Sequence, residues 1–211
     1  MRASICLASV LTACGHASIG PVATPLRGPF ASVDAACAAV TDAHGSRCAP
    51  LEMERTSAAA SRLAVVHIRQ PDRDAARCAV VLATDRGWFI TATSADACSA
   101  GSIDPGDVAT NPLVGAAGTQ IDIGAAWHSP DFADEARYTL TTLCGVVDGV
   151  PACTPIFTSA CEDRAPAGAC RDRGYALRWT IADGAITFTS SRDLAAGADV
   201  RALLGAHRLG F

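Results

Sequence analysis

The sequence predicts a mainly β fold, with antiparallel hairpins forming a sandwich or a strongly bent sheet, one short N-terminal helix, and disulfide staples. Three observations predict it. Strand-length apolar runs recur along the chain, and two pairs of them flank Asp-Gly dipeptides, the strongest short hairpin signal. The early part of the chain holds a single capped segment with helical spacing, near Ser32. Eight cysteines, Cys37, Cys48, Cys78, Cys98, Cys144, Cys153, Cys161 and Cys170, form an even set in the body of the chain. The 211 residues are 50% apolar and 18% charged, with a net charge of -4, which suits one domain with a real core and excludes a disordered chain. All 17 basic residues are Arg, interspersed with 21 Asp and Glu, so no concentrated positive patch exists for nucleic acid.

Each element follows from local chemistry. Ser32-Val33-Asp34 caps a helix whose inner face carries Val33, Ala36, Cys37 and Val40 and which Gly45 ends, folding Cys48 back toward Cys37. Leu63 to Gln70 reads as a strand. Cys78 to Thr84 and Trp88 to Ser94 read as a hairpin around Arg86-Gly87, whose strict register sets Cys78 opposite Ala95, three residues short of Cys98. A strand lies within Gly115 to Trp127, around Ile121 and Ile123. Thr139 to Val147 and Val150 to Phe157 flank Asp148-Gly149, and counting outward from that turn brings Cys144 opposite Cys153 at a non-hydrogen-bonded site, suited to a disulfide. Tyr175 to Ile181 and Ala185 to Ser190 flank Asp183-Gly184, setting Trp179 opposite Phe188 and Arg178 opposite Thr189. Val200 to Leu204 makes a short helix ended by Gly205, after which His207, Leu209 and Phe211 alternate as in a closing strand. Cys161 and Cys170 pair by elimination, around a loop with Pro166 and Gly168. The total is about eight strands.

Met1-Arg2 followed by the apolar run Ala3 to Ala13 has the length of a signal peptide, well short of the ~20 apolar residues of a membrane-spanning helix. Leu11-Thr12-Ala13-Cys14 resembles the lipobox of bacterial lipoproteins. The resemblance covers residues 1–14 alone and implies cleavage before Cys14, acylation of its thiol, and attachment to the membrane through the N-terminal lipid. The alternative is ordinary cleavage near Ala17 or Ala23. Gly15 after the lipidated Cys implies, by the enterobacterial sorting rule, release toward the outer membrane. Domain organisation is then a signal peptide over 1–13, the lipidated Cys14 and a flexible tether over 14–31, and a single disulfide-rich β domain over 32–211. Pro21, Pro25, Pro29, Gly20 and Gly28 give the tether no strand or helix periodicity; stretched, it reaches ~50 to 60 Å.

Catalytic signatures are absent from the sequence: no Gly-x-Ser-x-Gly, His-Glu-x-x-His or phosphate-binding Gly-rich loop occurs. His67 reads as a half-buried strand residue. His128-Ser129-Pro130-Asp131 reads as a loop, since triad members come from separate segments. Asp104-Pro105-Gly106-Asp107 reads as a turn rather than a calcium site. Arg164, Arg171 and Arg173 alternate with Glu162, Asp163 and Asp172 as a mixed solvated surface. Neither a metal site nor a cofactor is expected, because no Cys-x-x-Cys pair occurs. The functional expectation is a non-enzymatic binding or assembly module of the cell envelope, lipid-anchored at the outer membrane, with an unknown protein or ligand partner. The alternative is a surface or periplasmic hydrolase with His67 or His128 in its site.

Overall fold

A computed structural model describes residues 22–41, 47–53, 60, 62–69, 76–93, 108–128, 135–163, 175–191 and 198–211. The protein is mainly β, with antiparallel sheets of five and nine strands. The first three elements are β1 (Thr24–Pro25), β2 (Arg27–Phe30) and α1 (Val33–Ala38). Strands β3 (Arg47–Met53), β4 (Arg62–Arg69), β5 (Ala76–Thr84) and β6 (Gly87–Ile90) follow. The five-stranded sheet has the order β2-β6-β5-β4-β3. Leu63–Val66 and Ala79–Leu82 are apolar without a break because both faces of this sheet are covered. Its outer face, with Ala64, Val66, Ala79, Val81 and Ile90, packs against Val33, Ala36 and Cys37 of α1.

The Ser32 hydroxyl caps α1 by accepting from the Ala35 amide at 3.1 Å, as its sequence predicts. The helix ends at Ala38, earlier than Gly45, because the Val40 amide turns to the Cys37 carbonyl and the Thr41 hydroxyl donates to the Ala38 carbonyl. The β5–β6 turn is Asp85-Arg86, one residue earlier than Arg86-Gly87. The Thr84 hydroxyl accepts from the Arg86 amide, and Gly87 adopts the positive φ (125°) that follows the turn. Thr84 therefore pairs with Gly87, which shifts the register expected for Cys78 opposite Ala95.

The second sheet is built on β7 (Val108–Pro112), β8 (Gly118–His128), β9 (Glu135–Val147), β10 (Val150–Cys153) and β11 (Phe157–Asp163). It continues through β12 (Tyr175–Ala182), β13 (Ala185–Ser190), α2 (Ala198–Leu203) and β14 (Gly205–Arg208). β9 is its axis: β8 takes one edge along 135–145, while the other edge is shared, residues 144–147 by β10 and 136–141 by β11. Between β10 and β11 the chain bends at Thr154–Ile156. The Thr154 hydroxyl accepts from the Leu143 amide at 3.0 Å, and the Thr142 hydroxyl donates to the Thr154 carbonyl at 2.8 Å. The bend lets two wings diverge from one edge, β10 toward β1 and β11 toward β12-β13-β14. Hydrogen bonds from Val22 to Arg208 and from Ala23 to Leu209 join the far ends of the wings. The sheet is thus a curled half-barrel.

Apolar clusters fill both sides of this sheet. Leu63, Val65, Val80, Leu82 and Phe89 of the first sheet meet Val108, Ile121, Ile123 and Leu140 of the second, the sandwich core. Leu143, Phe157, Leu177, Ile186, Phe188, Leu203 and Leu209 fill the hollow of the curl, where Phe157 meets Trp179 and Phe188 edge to face at 6.0 and 5.5 Å. Both Asp-Gly turns form as predicted, with positive φ at Asp148, Gly149, Asp183 and Gly184. Trp179 faces Phe188 and Arg178 faces Thr189.

The sequence reading of 14–31 as tether is corrected at its end. Ala23 and Leu26 are buried, and β1 and β2 are strands of the two sheets, so the folded body begins by Val22 rather than near Ala31. β3 and β7 are also strands beyond those the sequence reading assigned. Pro50 and Pro112 mask them, and both strands lie at a sheet edge, where a missing amide is tolerated. Gly115 lies in the turn before β8, with φ 92°, so that strand starts at Gly118.

Candidate functional site

Cys37–Cys48 and Cys144–Cys153 are disulfides with Cα separations of 5.8 and 4.1 Å. The first ties α1 to β3; the second crosses the β9–β10 ladder where Cys144 and Cys153 are Cα partners. Cys78 and Cys161 are also disulfide-bonded, while Cys98 and Cys170 lie outside the described residues. All six described cysteines are therefore oxidised.

The polar face of β7, β8, β9 and β11 holds a connected side-chain network. β8 alternates Ile121 and Ile123, facing the sandwich core, with Gln120 and Asp122 on the opposite face. Register then sets Asn111 beside Gln120, and Asp122 beside Thr141. The Asp122 carboxylate accepts from Gln120 Nε2 at 2.6 Å and from Asn111 Nδ2 at 3.5 Å through Oδ2, and from Thr141 Oγ1 at 2.6 Å through Oδ1. Ser159 Oγ lies 2.7 Å from Thr141 Oγ1 and 3.2 Å from the Thr139 carbonyl. A hydroxyl has one proton to give; that of Thr141 is shared between the Asp122 carboxylate and Ser159 Oγ, and that of Ser159 goes to the Thr139 carbonyl.

Ser159 reaches this network because the β9–β11 pairing shifts between Thr158 and Ala160. A bulge of this kind re-aims the extra residue's side chain. Thr141 is fully buried and Ser159 is 7% exposed, so the hydroxyls act as an inner support. Asp122 and Gln120 are half-buried and Asn111 is exposed. Toward solvent the face thus presents one carboxylate flanked by two amides, held from beneath. That arrangement can accept from hydroxyl or amine donors and donate to a carbonyl, which suits recognition of a polar ligand.

The sequence reading did not single out these residues. The signal was the alternation Gln120, Asp122 against Ile121, Ile123, matched by Thr139 and Thr141 around Leu140; the pairing of the two strands was not read. His67 and His128, the suspects of the hydrolase alternative, lie in different sheets: His67 in β4 between Ala49 and Cys78, His128 in β8 opposite Glu135. Cys14, the turn at Asp104–Asp107, Ser129 to Asp131, Arg164 and Arg171 to Arg173 lie outside the described residues. Among the described residues, no group of three or more His, Cys, Asp and Glu side chains is placed to hold a metal ion. Among them, too, no helix is long and apolar enough to cross a membrane.

Burial raises the Tyr138 phenol above its ordinary value of 10.0. Its side chain packs against both the sandwich core and the cluster in the curl. No family model, curated protein or solved structure matches the chain.

Proposed function

We propose that the protein is an exported, lipid-anchored module of the cell envelope, held at the outer membrane through Cys14 and acting by binding or assembly rather than catalysis. The observation that carries this reading is the oxidation of all six described cysteines. Disulfides persist in oxidising compartments and are rare where thiols are kept reduced. Export agrees with the lipobox-like Leu11-Thr12-Ala13-Cys14, and acylation gives a stable anchor when more than one chain is attached. The recognition surface is the Asn111–Gln120–Asp122 face, whose carboxylate and amides accept from and donate to a polar partner.

The decisive experiment is the intact mass of the detergent-extracted protein, before and after reduction and alkylation. The reading requires a chain beginning at Cys14 with added acyl mass, and eight thiols that become alkylatable only after reduction. Free thiols before reduction, or an unmodified start, would reject it. A photo-cross-linking residue at position 111 should then yield a discrete adduct in intact cells that the same residue at Ala38, in α1, does not.

A further inference from the structure

The chain enters the folded body at Val22, whose amide donates to the Arg208 carbonyl at 2.8 Å. Resting on the reading of Cys14 as the acylated residue, eight Cα steps separate the anchor from that point, about 26 to 29 Å at full extension. A body of about 190 residues has a radius of gyration of about 16 Å, an outer radius of roughly 20 Å, and a path of roughly 60 Å from one pole to the other. The tether is about half that path. It cannot carry the far side of the body to the bilayer, so the surface around Val22 is the one the anchor draws to it.

That surface is continuous with the turn between β7 and β8. Gly115 in this turn lies so close to the Ile181 carbonyl that a Cβ would overlap it. Three residues on, the Gly184 carbonyl accepts from the Leu209 amide at 2.9 Å, and Leu209 is joined to Ala23. Val22, Ala116 and Ile181 pack against the same cluster in the curl. At the tip of the turn Val114 is 90% exposed, well above Val146 at 46%, the other large exposed hydrophobic among the described residues. Beside Val22, Arg208 is exposed.

We propose that the 113–117 turn rests on the lipid surface to which the chain's own N-terminus is attached, with Val114 entering the headgroup boundary. An apolar side chain at that depth leaves water, and the tether supplies the local concentration that a single valine lacks. The Asn111–Gln120–Asp122 face begins two residues from this turn, so a partner would be met close to the membrane.

The test uses the full acylated protein in vesicles of phosphatidylethanolamine and phosphatidylglycerol. An environment-sensitive fluorophore is attached through a noncanonical residue at Val114 or, in a second preparation, at Asp34 in α1. Asp34 is exposed on the outer side of the five-stranded sheet. The proposal expects blue-shifted emission at position 114 and several-fold stronger quenching by spin-labelled lipids there than at position 34. Equal quenching at both positions, or none at 114, in protein that floats with the vesicles and carries acyl mass overturns the orientation and leaves the anchor standing. Failure to float, with no acyl mass on Cys14, overturns both.

Discussion

Gly145 in β9 is a position where one methyl group decides how the curl closes. A Cβ there would overlap Cδ2 and Cγ of Phe211 and lie 2.7 Å from its Cε2, against about 3.5 to 4.0 Å for relaxed carbon contacts. The Phe211 ring must withdraw, an overpacking cost of about 1 to 3 kcal/mol. Because Gly145 is absent from the positive-φ residues, Ala also restricts the unfolded chain, returning about 0.4 to 1 kcal/mol. Gly145→Ala should therefore destabilise by about 0 to 2.6 kcal/mol, the difference of these ranges. Phe211→Ala, at a half-buried ring, should cost about 1 kcal/mol. In the double variant the methyl group occupies space the ring has left, so the cost should be no greater than that of Phe211→Ala alone. The coupling, read from urea midpoints of the oxidised protein by Trp fluorescence, is then the overpacking cost alone, about 1 to 3 kcal/mol. Gly28→Ala is the control, since its Cβ would meet the Trp88 carbonyl oxygen at 2.6 Å and the Phe89 ring in the other sheet, so its cost should be the same with and without Phe211. Additivity of Gly145→Ala and Phe211→Ala within about 0.5 kcal/mol would refute the steric account.

Other outcomes follow from the same packing. Tyr138 has its pKa raised by burial above 10.0, so its neutral form is favoured by folding; its contribution is intact below pH 10 and is lost as pH rises through the folded value. Urea midpoints should hold up to pH 10 and fall as pH rises above it, less steeply in Tyr138→Phe. Cys144 and Cys153 are nine residues apart, and replacing both with Ala should lower stability by about 2.5 to 3 kcal/mol in a chemical denaturation series. Gly184 has φ 72° and open space around its Cβ position, so Gly184→Ala should show a pure backbone cost of about 1 kcal/mol in calorimetry, with no change in disulfide content.

What the sequence makes legible is what local chemistry decides. Asp148-Gly149 and Asp183-Gly184 need positive φ at both positions, few residues supply it, and each turn fixes the pairing of every residue outward from it, including Cys144 with Cys153. Ser32 is legible for the same reason: its hydroxyl answers an amide three residues away. β1 and β2 were not legible because their partners lie far along the chain and Pro25, Gly28 and Pro29 remove the apolar alternation. The Asp122 network escaped for a related reason. Thr141 and Ser159 reach it through the long β8–β9 pairing and a bulge in β11, neither of which carries a turn signal.

The way the curl closes also orders its assembly. The hairpins around Asp148-Gly149 and Asp183-Gly184 join neighbours in sequence and close short loops. Thr24, however, waits for Cys153, and Val22 for Arg208. Loop-closure entropy makes such distant pairings slow compared with local ones. Val22 to Pro25 therefore find their partners last, after the strands that carry Cys153 and Arg208 have been placed.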